Sequence, residues 1–249
     1  MMTTMDERLD KLSGTSNDAP ATSVAISPTA MALFAASMAR GPSRIINAAF
    51  DPAIRTLIDG LRQLGAAILA DEAAGRIEIT GHGGHCVHGD LELNCGCQSP
   101  TAHLLLAACV LDRSRCRLTN LPAMTASFAS LIDALNDLGA QIHPDHDASG
   151  SGIQIGPALF RGGRTTIQNS DAAGAVASLL LVAPCAAGDV FLGVPPWPIR
   201  PPEVIVALRT LEDCEISVID DQATRMIVPA PQCYAACQHD ISIRGNVGW

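Results

Sequence analysis

The chain has 249 residues, 48% of them apolar but only 3% aromatic, and a formal net charge of −9 at pH 7. This length allows a large core and one or two domains, filled mainly by Ala and Leu in helices packed against sheets. The negative charge argues against general electrostatic binding of nucleic acid or of a membrane surface, but it leaves open a locally basic site for a small anion.

The first 22 residues are polar and are predicted to form a flexible tail, without the apolar segment of a signal peptide. No later stretch offers a continuous membrane span. Nine Cys at irregular spacings are typical of reduced thiols that serve as small apolar side chains. These features predict a cytoplasmic protein.

The first predicted helix runs from about Pro28 to Arg40, after a short strand candidate, SVAI, at residues 23–26. Ser27 is a favourable N-cap, and Pro28 suits the first helical position. The strand RIIN, a second helix that ends at Gly65, and the strands AAIL and RIEIT follow in that order. Together these elements form a βαβαββ unit.

Two further stretches repeat this order. In the second, the strand DLELN precedes a helix capped by Ser99, and LIDALNDLGAQI matches LIDGLRQLGAAI of the first unit at most positions. In the third, Ser170 stands at the cap position between the strand TTIQN and the helix AVASLLLVAP. The serines Ser27, Ser99 and Ser170 are 72 and 71 residues apart, a regularity typical of repeat architectures.

The sequence therefore predicts an α/β (α+β) protein in which three βαβαββ units surround packed helices, because a single unit has a face that it cannot bury alone. The units are expected at about residues 23–80, 90–155 and 164–228. The tail at 1–22 precedes them, and a C-terminal extension at 229–249 follows.

The order of these motifs resembles one domain of the enolpyruvyl transferases, specifically of the EPSP synthase (3-phosphoshikimate 1-carboxyvinyltransferase) family. AISPTAMALFAASMARG and LIDGLRQLGA are similar to the family's GSKSxSNRALLLAALAxG and ALxxLGA, and ITGHGG is similar to its IxGxGG. LTNLPAM resembles LTGxPRM, and NSDAAGAVASLLLVAP stands where the family has GSxSSQFLSALLMAAP. The resemblance covers roughly Ser23 to Arg244.

The resemblance implies a fold, a reaction and a partner. The family forms an inside-out α/β barrel of two three-unit domains, with the active site in the cleft between them. It transfers the enolpyruvyl group from phosphoenolpyruvate to the 5-hydroxyl of shikimate 3-phosphate, in the shikimate pathway of aromatic amino acid biosynthesis, without a cofactor. The chain ends about where the second domain would resume. A complementary second-domain chain, or self-association through the cleft face, is therefore the expected partner.

Several positions that are basic or polar in the family carry other residues here. Both substrates are polyanions and need Lys and Arg donors, yet Lys11 in the predicted tail is the only Lys of the sequence. We therefore predict no catalytic residue. The replaced positions are Ile26 (Lys of GSKS), Met31 (Arg of SNRA), His103 (Arg of TAMRP), Ala123 and Thr125-Ala126-Ser127 (Arg and Lys-Glu-Arg of PRMKERP), Ala172-Ala173-Gly174 (Ser-Ser-Gln) and Pro202 (Tyr of SKPY).

Five matching positions are the candidate substrate-binding residues: Ser27, Arg55, Ser99, Ser170 and Arg200. In the family the three capped helix ends face the cleft, and a helix N-terminus offers free N–H groups to shikimate 3-phosphate or another small anion. Simple N-capping explains the three serines equally well, and surface or structural roles explain the two arginines.

A second candidate is the His/Cys stretch, GHGGHCVHGDLELNCGC at residues 81–97. Thiolate and imidazole are zinc ligands, but the spacing fits no standard finger or ribbon, so the favoured expectation is no metal. The metal-ligand candidates in it are His82, His85, Cys86, His88, Cys95 and Cys97.

Three hypotheses result. The chain is an EPSP synthase-like transferase domain that is inactive alone, or a non-catalytic binding or scaffold pseudoenzyme that kept the fold. A zinc-binding module that uses the His/Cys stretch is the least favoured of the three.

Overall fold

The structure is a computed structural model in which residues 25–84, 89–145, 152–221 and 224–244 are described. The predicted tail lies outside these ranges. The helices are α1 (Pro28–Met38), α2 (Pro52–Gln63), α3 (Ser99–Cys109), α4 (Ala126–Asp137), α5 (Ala173–Val182), α6 (Pro202–Asp213) and the single turn α7 (Ile241–Arg244). The strands are β1 (Arg40–Ile46), β2 (Ala67–Asp71), β3 (Arg76–His82), β4 (Leu91–Asn94), β5 (Cys116–Thr119), β6 (Ile142–Asp145), β7 (Gly152–Ile155), β8 (Gly163–Thr166), β9 (Val190–Gly193), β10 (Ile219–Asp220), β11 (Arg225–Val228) and β12 (Gln238–Asp240).

The strands form three mixed sheets of four strands each. Their orders are β12-β1-β3-β2, β4-β5-β7-β6 and β8-β9-β11-β10. In each sheet the first two strands are parallel and the last two pairings are antiparallel, so the three units share one topology. The predicted α/β class with three repeated units around packed helices is confirmed.

Three helices, α1, α3 and α5, form the centre of the molecule. Nearly all their residues are buried, because their sequences are apolar on every side. The amphipathic helices α2, α4 and α6 pack against them. Small residues let these helices approach closely: a methyl group built on Gly60 of α2 would lie 2.6 Å from Cδ2 of Leu105 of α3. The low aromatic content of the chain fits this packing.

One strand prediction is wrong where the structure tests it. Ser23 and Val24 of SVAI lie outside the described residues, and Ala25 and Ile26 are not in a strand. In the first sheet the place that DLELN and TTIQN occupy in the other two is taken by β12, which pairs in parallel with β1. The segment that the sequence set apart as a C-terminal extension thus supplies an outer strand of the first sheet.

The second helix of every unit ends in the same way. The N–H groups of Ala66, Ala140 and Ile216 donate to carbonyls five residues back, at 3.0, 3.0 and 2.9 Å. The preceding residue is left-handed in each case, as this helix end requires. It is Gly65 (φ 105°) in the first unit and Gly139 (φ 106°) in the second, but Glu215 (φ 61°) in the third.

We expect Glu215→Gly to raise the free energy of unfolding by about 0.5–1 kcal/mol, because a left-handed backbone is costly for every residue with a Cβ. Urea denaturation measures the change. Glu212→Gly, three residues earlier and inside α6, is the matched control. It should lower the stability by up to about 0.5–1 kcal/mol, because glycine is a poor helix former and Glu212 is in the last turn of α6. If both variants changed the free energy of unfolding in the same direction, the left-handed backbone of Glu215 would not be the cause of the effect.

Candidate functional site

The N-terminal ends of several helices meet at one end of the central bundle. A methyl group built on Gly174 at the start of α5 would lie 3.7 Å from Cδ1 of Ile26, before α1, and 3.9 Å from Nε2 of His103 in α3. Nε2 of His103 is 3.3 Å from Oγ of Ser127 in α4. We call this region the helix N-terminal face: Ile26, Ser27, Ser99, His103, Ser127 and Gly174.

His103 lies buried at the centre of this face, 3% exposed. Its Nδ1 is 2.8 Å from the carbonyl oxygen of Ser99, which can only accept, so the proton is assigned to Nδ1 and Nε2 accepts from the Ser127 hydroxyl. Its ring packs edge-on against Phe128, with centroids 5.1 Å apart. Burial lowers the pKa of His103, against the opposing effect of the bond to Ser99. The imidazole is therefore neutral at pH 7.

Apolar and small side chains fill the other positions that the resemblance assigns to basic or polar residues. Ile26 is 4% exposed and Met31 is fully buried in the core. Thr125 caps α4 by accepting a hydrogen bond from the backbone N–H of Phe128 at 3.2 Å. The Lys-Glu-Arg run of the family is thus replaced by a helix cap and by Ser127, the partner of His103.

Only one of the three predicted serine caps is present. Ser27 accepts from the N–H of Ala30 at 3.2 Å and caps α1, as predicted. The prediction for Ser99 is wrong, because the helix begins one residue earlier and Gln98 is the cap, without a side-chain bond. The prediction for Ser170 is also wrong, because α5 begins later, with Ala172 as its cap. In α3 proline therefore stands at the second helical position, whereas in α1 it stands at the first.

Arg55 lies in the first turn of α2 and forms a two-pronged ion pair with Glu72. Its Nε and Nη2 donate to the two carboxylate oxygens at 2.9 and 2.6 Å. The bond from Arg55 lowers the pKa of Glu72. Both side chains are half exposed, so solvent screens this pair and it is weak. Arg55, the first candidate arginine, is therefore already paired with a carboxylate of its own unit.

Arg200 lies on the loop that leads into α6 and forms a two-pronged pair with Asp220. Nη2 donates to Oδ1 at 3.1 Å, and Nη1 contacts Oδ2. The side chains are only 23% and 19% exposed, so this pair is better shielded from water than the Arg55 pair. On the same loop, Nε1 of Trp197 donates to the carbonyl of Ser170 at 2.9 Å, which joins the approaches to α5 and α6.

The His/Cys stretch shows no metal cluster among its described members. His85, Cys86 and His88 lie outside the described residues. Cys95 is buried in the core, where burial raises its pKa to about 12. The three described members, His82, Cys95 and Cys97, do not belong to the group of His and Cys ligand atoms that the structure brings together elsewhere.

Sequence reasoning missed that group, which is formed by Cys214, Cys237 and His239. A signal was present in the C-x-H pattern of residues 237–239, since alternate residues of a strand share a face. The third member lies 23 residues before Cys237, and no local pattern connects the two.

The fold is that of one three-unit domain of an enolpyruvyl transferase. The EPSP synthase from Acinetobacter baumannii superposes with a TM-score of 0.72 at 16% identity, over 86% of this chain and 47% of that one. The enolpyruvyl transferase NikO from Streptomyces tendae gives a TM-score of 0.63 at 17% identity, over 88% of this chain and 50% of that one.

The family described as EPSP synthase (3-phosphoshikimate 1-carboxyvinyltransferase) matches residues 10–243. The chain belongs to this family. A 3-phosphoshikimate 1-carboxyvinyltransferase of Vibrio cholerae serotype O1 (strain M66-2) is 27% identical over 208 residues, 82% of this chain and 49% of the relative. One of Shewanella sp. (strain ANA-3) is 28% identical over 207 residues, with the same shares.

The chain thus spans about half the length of the curated relatives it matches. Within the described part of the chain, no helix has the length and apolar character needed to cross a bilayer.

Proposed function

We propose that this chain is an EPSP synthase family domain that does not transfer enolpyruvyl groups by itself. It keeps the fold of the family and serves as a binding or scaffold module. The observation that carries the proposal is the chemistry of the helix N-terminal face, where a buried neutral histidine and apolar side chains stand at positions that are basic in the family's motifs.

The physical argument concerns charge. Shikimate 3-phosphate and phosphoenolpyruvate both carry phosphate and carboxylate groups, and holding them together requires fixed cations. Ile26 and Met31 supply none, and the neutral ring of His103 already uses both nitrogens within the protein. Backbone N–H groups at helix ends attract an anion only weakly without such cations.

Arg55 is the residue through which some anion binding would persist. Its pair with Glu72 is half exposed, so a phosphate group can compete with that carboxylate at little cost. Arg200 is less available, because its pair with Asp220 is better shielded.

The test is a calorimetric titration of the chain with shikimate 3-phosphate, with and without phosphoenolpyruvate, together with an assay of phosphate release. We expect no release and at most millimolar binding. The Vibrio cholerae relative serves as the positive control in the same buffers. Micromolar binding with phosphate release would overturn the proposal, whereas weak binding that disappears in Arg55→Ala would fit it.

A second candidate function is that of half an enzyme, which another chain completes. It is favoured because the match to the Vibrio cholerae relative covers only 49% of that relative's length. It is also favoured by two exposed apolar side chains on loops that lead into α4 and α6, Met124 (59%) and Ile199 (85%). Sedimentation of the chain at rising concentration tests self-association through this end. A reading frame nearby that encodes three more units would supply the complementary partner.

A further inference from the structure

Three ligand-type side chains meet where the C-terminal segment joins helix α6. Cys214 directly follows α6, Cys237 directly precedes β12, and His239 lies within β12. The N–H of Ala235 donates to the carbonyl of Cys214 at 3.0 Å, which holds the two segments together. Cys214 and His239 are fully buried, and Cys237 is partly exposed.

The distances within this group fit a tetrahedral ion. The sulfurs of Cys214 and Cys237 are 3.4 Å apart, and Nε2 of His239 lies 3.7 and 3.2 Å from them. Zinc with bonds of about 2.3 Å to sulfur and about 2.0 Å to nitrogen separates two sulfurs by about 3.8 Å, and a sulfur from a nitrogen by about 3.5 Å. Shifts of a few tenths of an ångström therefore suffice. The sulfurs are too far apart for a disulfide, which needs about 2.05 Å.

The orientation of His239 is a second, independent observation. Nε2 is the ring nitrogen nearer to the sulfur of Cys237, at 3.2 Å against 4.0 Å for Nδ1, and Nδ1 lies 3.9 Å from Oδ2 of Asp213. This contact is longer than a hydrogen bond, and a shift of about 1 Å would convert it into the carboxylate–histidine bond that fixes a ligating ring toward a metal.

We propose that Cys214, Cys237 and His239 form a zinc site, with the fourth coordination position toward solvent on the side of Cys237. This site goes against the expectation of no metal and lies outside the His/Cys stretch. It is also separate from the helix N-terminal face, so it does not depend on the proposed function. The ion would fasten the segment that closes the first sheet to the end of a helix of the third unit.

The test is titration of the reduced, metal-free full chain with Co²⁺, which reports thiolate ligation through a charge-transfer band and tetrahedral geometry through visible absorption. We expect one equivalent to bind, zinc to displace it, and saturating zinc to raise the melting temperature by about 5–10 °C. Cys237→Ser should abolish the band. Asp213→Asn should weaken cobalt binding by about 10-fold, because it only orients the histidine.

The matched control is Cys97→Ser, which removes an exposed thiol of the His/Cys stretch and should leave the spectrum unchanged. Cys237 is partly exposed, so Cys237→Ser is expected to fold, and circular dichroism checks this. No band in the wild type, a band that survives Cys237→Ser, or a band lost in Cys97→Ser would each overturn the proposal. The last outcome would move the metal to the His/Cys stretch.

Discussion

Gly81→Ala is expected to destabilise the protein by about 3 kcal/mol, because there is no room for a methyl group at this position. A Cβ on Gly81 would lie 2.4 Å from the carbonyl oxygen of Ala39, 2.5 Å from that of Ala36 and 2.6 Å from that of Ser37. These are backbone atoms at the end of α1, so they cannot rotate away as a side chain would. Gly81 also pairs with Gly41 in the ladder between β3 and β1, which restricts movement of the strand.

Urea denaturation of Gly81→Ala measures this effect, with Gly188→Ala as the control. A methyl group on Gly188 would meet only the carbonyl of Arg161, at an ordinary 3.4 Å. The control should therefore stay within about 0.5 kcal/mol of the wild type. If Gly81→Ala lowered the free energy of unfolding by less than about 1 kcal/mol, the end of α1 would have to move aside for the methyl group, which would contradict the prediction. Gly81 is the first glycine of GHGG, so the structure explains this part of the family motif by packing.

Ending the chain after Cys233 is expected to abolish cooperative folding. The truncation removes Tyr234, which is buried and donates its hydroxyl to the carbonyl of Leu181 in α5. It also removes β12 and therefore the parallel neighbour of β1. Loss of one large buried aromatic side chain costs about 3–5 kcal/mol by itself, a large part of the total stability of a typical domain.

The truncated chain should lack a sigmoidal thermal transition by circular dichroism. Tyr234→Ala isolates the side chain and should fold with a stability lower by about 3–5 kcal/mol. A chain that ends after Arg244 keeps all these contacts and should retain a sigmoidal thermal transition. A chelator in every sample separates this effect from that of zinc. A sharp transition in the chain that ends at Cys233 would show that β1 does not need its partner.

The repeated units could be predicted because their signals are local. Apolar periodicity and helix-stop glycines such as Gly65 and Gly139 act within about a dozen residues, so they survive in a single sequence. The cap predictions rest on the same kind of local signal, but they were less successful. The Ser27 prediction succeeded, whereas the Ser99 and Ser170 predictions failed, because a one-residue shift in a helix start changes which side chain reaches the free N–H groups.

The candidate site was only partly predictable. The replacement of basic residues at positions 26, 31 and 103 could be read directly from the sequence. The neutrality of His103 could not, since it depends on burial and on partners contributed by α3 and α4. The pairing of Arg55 with Glu72 and of Arg200 with Asp220 also had no local pattern to indicate it.

By itself the sequence determined the order of helices and strands in the three units, except for the outer strand of the first, and the loss of cationic side chains, because these signals lie in short runs of residues. Only the tertiary structure decided how the first sheet is closed and which residues form the cysteine–histidine group. Those features join distant parts of the chain, such as the bond from the N–H of Cys237 to the hydroxyl of Ser43, 194 residues apart. Such contacts form only when packing of the three units brings the chain end back to its beginning.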